Sequence, residues 1–260
     1  MADLAELPAF FERLAAIAGD SIMPHFRMRT AVENKSNARF DPVTAADRAA
    51  EAIIRSMIGS TFPDHGIVGE EYGADRPDAE FVWVIDPIDG TRAFITGLPV
   101  WGTLIGLKRG GKPIFGMMAQ PFTGERYMGD GKQAWLSARN GTVPLKTRAC
   151  GEISEASLFT TSPSLFSGSD RGAYDRVERR ARLARYGCDC YAYCMVAGGH
   201  ADVVVEAGLQ PYDIVALIPI VEGAGGRITT WQGGSAIHGG SVVASGDARL
   251  HDTVLAELAG

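Results

Sequence analysis

The chain has 260 residues, 46% of them hydrophobic and 22% charged, with a formal net charge of −6. This is the composition of an ordinary globular protein, as one large domain or two smaller ones, and it argues against a basic face for nucleic acid. No apolar run reaches the ~18 residues that span a bilayer.

Residues 4–28 repeat Leu4, Leu7, Phe10, Phe11, Leu14, Ile17, Ala18 and Ile22 at helical spacing, which predicts one helix, disturbed at Pro24. Met1–Glu6 has no basic segment and no signal-peptide core, so a cytoplasmic location is expected. Residues 30–43 are polar and loop-like. A second helix begins at Thr44, with Ala46, Ala49, Ala50, Ile53, Ile54, Met57 and Ile58 on its buried side. Thr44-x-x-Asp47 reads as a capping box with Asp in place of Glu. Ile67–Glu71 is a short strand ending in two acids. Adjacent strand side chains face opposite ways, so at most one of Glu70 and Glu71 faces a common site.

Phe81–Ile85 is an all-apolar run, as expected of a strand buried on both faces. It should stop at Asp86-Pro87, because proline cannot donate to a sheet ladder. Asp86 and Asp89 then stand three residues apart. Buried carboxylates are costly unless paired or metal-bound, and a hard cation such as Mg²⁺ takes oxygen ligands. The Ile88 carbonyl would add a further ligand. Gly90 and Thr91 open a short helix to about Thr96, and their N–H groups favour an anion such as phosphate. Cation sites beside an anion site suit metal-assisted phosphoryl transfer. Asp-Pro and Asp-Gly alone are ordinary turn signals, but the complete string after a buried strand is more specific. The chain has no Lys/Arg cradle and no G-x-x-x-x-G-K-[ST] loop, so cations and backbone amides must hold any phosphate.

Strands follow at Val100–Lys108, Ile114–Gln120, Glu125–Gly129 and Ala134–Ala138, as an antiparallel meander. Arg139–Arg148 reads as a polar connection. A soft boundary near 145–155 separates residues 1–150 from 151–260. The second part alternates strand and helix: Leu158–Thr161, Arg171–Leu183, Tyr186–Cys190, Tyr191–Gly199, Ala201–Glu206, and a helix Tyr212–Ala224 kinked at Pro219. Glu206 ends a buried strand. Asp213 heads a helix, where a cap is its ordinary role. Strands Arg227–Trp231 and Ser241–Ala244 and a helix Ala248–Leu258 close the chain. Cys150, Cys188, Cys190 and Cys194 lack the paired spacing of a zinc site and are expected to be reduced. The histidines show no ligand spacing.

Three blocks occur in order: Gly69-Glu70-Glu71, Asp86-Pro87-Ile88-Asp89-Gly90-Thr91, and Tyr212-Asp213 with Gly223-Ala224-Gly225-Gly226. Together they resemble the inositol monophosphatase family of Mg²⁺-dependent phosphomonoesterases. The resemblance implies an α/β fold, the layered αβαβα sandwich of this sugar phosphatase superfamily, forming one compact catalytic unit. It implies two or three Mg²⁺ ions held by Glu70, Asp86, the Ile88 carbonyl, Asp89 and Asp213. The segment Asp41-Pro42-Val43-Thr44-Ala45-Ala46-Asp47 matches the family's Asp-x-Val-Thr-x-x-Asp, which makes Asp47 and Thr91 the pair that orients and deprotonates the attacking water, with Glu70 assisting. Gly90 and Thr91 would bind phosphate oxygens, Asp213 would close the metal site against the substrate, and Glu206 would contact its alcohol part. No covalent phosphoenzyme is needed. A small phosphate ester as substrate and a homodimer are also implied.

Within the family, Thr160-Thr161-Ser162-Pro163, Cys188–Tyr193 and Pro211–Pro219 resemble the histidinol-phosphate phosphatase branch, and Tyr212 stands where many inositol monophosphatases have Trp. L-Histidinol carries an amine that Asp189 and Glu206 could receive. Glu206 could equally accept inositol hydroxyls, so charge alone does not choose the substrate. Inositol monophosphate or a phosphorylated nucleotide is the alternative within the same chemistry. A non-catalytic metal- or phosphate-binding protein is the alternative outside it, and the presence of both Thr91 and Asp47 argues against that.

Overall fold

A computed structural model describes residues 6–28, 33–34 and 42–260. Helix α1 (Leu7–Ile22) buries Leu7, Phe10, Phe11, Leu14, Ala18 and Ile22, the stripe expected from spacing, although Leu4 lies outside the described residues. It ends earlier than expected, and Met23–His25 form a 3₁₀ turn. Pro24 has no N–H to give the Asp20 carbonyl. Within the expected loop 30–43, β1 (Glu33–Asn34) and β2 (Pro42–Val43) pair antiparallel. Asp41 lies outside the described residues. In α2 (Ala45–Thr61) the buried face is Ala46, Asp47, Ala50, Glu51, Ile54 and Ile58. Two acids complete it, whereas Ala49 and Ile53, expected inside, are exposed.

The larger sheet has eight strands: β3 (Gly66–Gly69), β4 (Gly73–Asp75), β5 (Phe81–Asp89), β6 (Gly102–Arg109), β7 (Lys112–Gln120), β8 (Glu125–Gly129), β9 (Ala134–Ala138) and β10 (Gly141–Pro144). Their order is β10-β9-β8-β7-β6-β5-β3-β4. Every pairing is antiparallel except β3 with β5. Two expectations need correction. Strand β5 does not stop at Asp86-Pro87 but runs to Asp89, because its register with β6 shifts between Asp86 and Asp89. A bulge of this kind accommodates the missing proline donor. Arg139–Arg148 is not only a connection: a two-residue turn, Arg139-Asn140, returns the chain into β10.

The smaller sheet has the order β12-β11-β13-β15-β14, from β11 (Ser157–Thr160), β12 (Leu183–Tyr186), β13 (Val203–Leu209), β14 (Arg227–Thr230) and β15 (Gly240–Ser245). A short helix α3 (Thr91–Ile95) follows β5. The remaining helices are α4 (Gly168–Arg180), α5 (Asp189–Ala197), α6 (Pro211–Ile214), α7 (Leu217–Gly223) and α8 (Ala248–Ala259). The strand expected at Tyr186–Cys190 lies earlier, and Asp189 and Cys190 instead open α5. Gly187, at φ 75°, makes the turn between them. The helix expected over Tyr212–Ala224 is two, with the break at Val215–Ala216 rather than at Pro219. Pro219 lacks the N–H that the Val215 carbonyl would receive, so the ladder fails one turn upstream.

Helices α1 and α2 cover the outer face of the large sheet, α5, α6 and α7 lie between the two sheets, and α4 and α8 cover the far face of the small one. The result is a five-layer α/β sandwich, with one apolar core under α1 and α2, a second between the sheets and a third beneath α4 and α8. Among the described residues no helix is long and apolar enough to cross a membrane.

Candidate active site

The bulge at the end of β5 is what places the acids. Asp86 lies on the buried strand, and its Oδ1 accepts the Ile88 N–H at 3.0 Å. Asp89 is the last residue of β5, and its Oδ2 accepts the Cys190 N–H at the start of α5, at 2.6 Å. Asp213 lies in the first turn of α6, where its Oδ2 accepts the Gln210 N–H at 2.7 Å. It therefore closes a capping box from the third helical position, with Gln210 as the N-cap, and it also faces the other acids. Among the described residues, Asp86, Asp89 and Asp213 each offer one oxygen within 4.8 Å of the others. Glu70 joins them from the turn after β3, where its N–H donates to the Ile85 carbonyl at 3.2 Å.

The electrostatics show what this crowding costs. Burial, followed by the charges of Glu70, Asp89 and Asp213, holds the Asp86 carboxyl well above its usual range. Burial and the charges of Asp189 and Asp213 do the same to Asp89, against the Cys190 N–H. Burial raises Asp213 to about 7, opposed by the Gln210 N–H and reinforced by Glu70 and Asp189. Carboxylates so arranged repel one another and are desolvated, and a multivalent cation relieves both penalties. An all-oxygen donor set from Glu70, Asp86, Asp89, Asp213 and the Ile88 carbonyl fits a hard cation. That carbonyl also accepts the Thr91 hydroxyl at 3.1 Å, and a carbonyl oxygen has two lone pairs.

Asp47 occupies the first turn of α2. Its Oδ2 accepts the Thr44 N–H at 2.8 Å and the Thr44 hydroxyl at 2.6 Å. Burial is the main cause that raises its carboxyl, and the nearby charge of Glu70 adds to it. Asp47 and Thr91 do not hydrogen-bond each other here: Thr91 is turned to Ile88.

Gly90 caps α3 in the left-handed region, at φ 84°. A Cβ there would meet Asp189 Oδ2 at 3.1 Å, so the glycine is required by both conformation and space. Asp189 itself is left-handed, at φ 42°, and its Oδ1 accepts the Thr161 hydroxyl at 3.1 Å. Glu206 is fully buried on β13. It accepts the Thr161 N–H at 2.6 Å and the Thr160 hydroxyl at 3.3 Å. Burial still raises it to about 8. These residues converge on one cavity of 170 Å³, lined by Asp89, Gly90, Thr91, Asp189, Glu206 and Asp213 among others. A larger cleft of 430 Å³ beside α1 shares none of its lining residues.

Several contributors were not foreseen. Arg92 and Thr161 line the same cavity. The Tyr193 hydroxyl is buried with no hydrogen-bond partner among the described residues, and burial, followed by the charges of Glu206, Asp89 and Asp213, raises its pKa. Glu51, an acid on the buried face of α2 one turn after Asp47, grips the turn that carries Glu70. Its spacing of four from Asp47 was the available signal.

Residues 3–259 match the model of the inositol monophosphatase family. The chain is 42% identical to the bifunctional phosphatase IMPL2 of Arabidopsis thaliana, over 98% of this chain and 76% of that protein. It is 37% identical to the histidinol-phosphatase of Mycobacterium tuberculosis, over 84% of each. Among solved structures, an inositol monophosphatase from Zymomonas mobilis superposes with a TM-score of 0.84 at 38% identity, over 96% of each chain. The acid cluster at the end of β5 thus sits in a fold and a sequence that agree from one end of the chain to the other, and the chain belongs to the inositol monophosphatase family of phosphatases.

Proposed function

We propose that this phosphatase hydrolyses L-histidinol phosphate to L-histidinol and phosphate, with two or three Mg²⁺ ions held by Glu70, Asp86, Asp89, Asp213 and the Ile88 carbonyl. When bound, Mg²⁺ supplies Lewis-acid stabilisation of the phosphoryl group and a nucleophile available near neutral pH. The chain's own groups do the rest. Gly90 and Thr91 present backbone N–H groups to the phosphate oxygens. Thr91, seated on the Ile88 carbonyl, orients the attacking water. Asp47, whose carboxyl is raised by burial, is the proton acceptor, with Glu70 beside it. For that relay Thr91 must exchange its Ile88 contact for one toward Asp47.

The observation that carries the choice of substrate is the second acid pair. Asp189 and Glu206 line the same cavity as Asp89, Gly90 and Thr91. An alcohol bearing a protonated amine would draw both buried acids there into their ionised form, and ionised pairing of this kind is strong when water is excluded. The histidinol-phosphatases of M. tuberculosis and Chlorobaculum parvum, the latter 35% identical over 94% of this chain, support the reading. The second reading, inositol 1-phosphate, is favoured by the ability of Glu206 to accept hydroxyls and by the Z. mobilis structure.

Phosphate release from the two substrates, side by side with and without Mg²⁺, separates them. A Mg²⁺-dependent preference for histidinol phosphate supports the proposal. A preference for inositol phosphate keeps the site and replaces the substrate. The homodimer implied by the resemblance and the cytoplasmic location expected above belong to the same proposal, and sedimentation of the purified chain as a monomer would remove the first.

A further inference from the structure

We propose that Glu51 is a positioning residue that holds Glu70 in place for metal binding. This rests on reading Glu70 as a metal ligand. The Glu51 side chain is fully buried, and a buried carboxylate needs partners. Its Oε1 accepts Arg55 Nε at 2.7 Å and the Tyr72 N–H at 3.1 Å. Its Oε2 accepts the Glu71 N–H at 2.7 Å. Arg55 in turn donates to the Gly73 carbonyl. One i,i+4 pair on α2 therefore grips residues 71–73 through both their N–H and C=O groups.

Glu70 is the residue caught between two fixed points. Before it, Gly69 pairs with Ile85 in the sheet and packs so closely on Glu51 that an added Cβ would strike the carboxylate. At Glu70 itself the N–H is pinned to the Ile85 carbonyl, next to Asp86. After it, Glu51 holds the next two N–H groups. The short reach left to the Glu70 side chain brings it beside Asp86, whose carboxyl is raised by burial first and by the Glu70 charge next. A buried ion pair is a poor device for stability alone, since apolar residues of similar volume serve as well or better. What the carboxylate adds here is direction: two N–H groups of an irregular turn are satisfied in one orientation only, and ligand supports of this kind govern metal affinity.

The test is calorimetric titration of Mg²⁺ into the metal-free protein, without substrate, for wild type, Glu51→Gln, Glu51→Asp and Ile54→Val. Ile54 lies on the buried face of the same helix and makes none of these hydrogen bonds. Gln cannot accept at both former oxygens, so one N–H of the turn meets another donor. The expected result for Glu51→Gln is a weakening of Mg²⁺ binding by about tenfold or more. The Mg²⁺ concentration for half-maximal hydrolysis should rise in parallel, while kcat at saturating Mg²⁺ recovers to within a few-fold. Glu51→Asp keeps the charge and should fall between, and it serves alone if the Gln variant does not fold. Ile54→Val should lower Tm without moving Mg²⁺ affinity. Unchanged Mg²⁺ affinity in both Glu51 variants would overturn the proposal, as would equal weakening in Ile54→Val. If the wild type itself bound no Mg²⁺, the metal reading would fail, and this inference with it.

Discussion

Glu206 is an acid placed where its charged form is penalised: wholly buried, it reaches about 8 despite two hydroxyl or amide donors. Its folded pKa stands above its unfolded value near 4.5, so its contribution to stability is complete below about pH 4.5 and is lost as pH rises through about 8. Asp213, raised to about 7, acts with the same sign. The metal-free protein should therefore lose on the order of 5–10 °C in Tm between pH 5 and pH 8. Glu206→Gln should flatten that fall, and a Tm that instead rose over this range would refute the assignment. Asp89→Asn isolates the metal role. It removes one of three acids that share a 4.8 Å cluster, so turnover should vanish while the circular dichroism of the fold is kept. Near wild-type turnover would remove Asp89 from the site. Thr91→Ala spares every carboxylate. It should slow hydrolysis by roughly 10²–10⁴-fold, the span of positioned proton-transfer groups, with Mg²⁺ binding unchanged by calorimetry.

How these side chains come together depends on elements that sequence patterns convey unevenly. The helical stripe of α1 and the apolar run of β5 were legible because burial imposes a period on them. The bulge in β5 was not, since a proline inside a strand reads as its end. Nor was the α6–α7 break, which lies a turn upstream of the proline that causes it. A further feature appears only in the pairing. Gly106 on β6 faces Gly116 on β7, and Gly116 faces Gly129 on β8, forming a row across three strands. The segment from Val215 to Ile220 lies directly on that row. A Cβ at Gly106 would meet Val215 Cγ1 at 2.9 Å, and one at Gly116 or Gly129 would strike the carbonyls of Ala216 or Pro219. Isolated strand glycines can signal such close approach, but only the register shows that they align. The row lets the α6–α7 junction, which begins two residues after Asp213, sit directly against the sheet. Gly116→Ala should therefore cost about 1–3 kcal/mol by overpacking, read by urea titration, and it should weaken Mg²⁺ binding because Asp213 rises with its helix. Loss of stability with intact Mg²⁺ affinity would show that the row serves packing alone.

The two sheets draw their strands from separate stretches of chain, and the acids are contributed from both sides of the seam. Glu70, Asp86 and Asp89 come from the large sheet, whereas Asp213 comes from the middle helices and Asp189 heads α5. Direct bonds already cross this seam, above all the Cys190 N–H on Asp89. This is why the chain is proposed as one catalytic unit despite the soft boundary near 145–155. Three blocks far apart in sequence announce the chemistry by resemblance, but nothing in one dimension indicates that their acids meet at the joint between layers. Ionised acids in this cluster repel one another across the joint, and a bound cation would relieve that repulsion. Ligation and stability are therefore linked, and a ligand at a hundredfold its Kd adds about 2.7 kcal/mol to the folded state. For a chain of this size that corresponds to roughly 5–10 °C. Saturating Mg²⁺ should raise the Tm of the chelator-treated protein by that amount, more at pH 8 than at pH 5, because protonated acids neither repel nor ligate. Asp89→Asn should abolish most of the increment while starting from a metal-free Tm at or above that of wild type, since one buried charge has gone. A Mg²⁺ increment equal in Asp89→Asn and wild type would place the stabilising ion elsewhere on the protein.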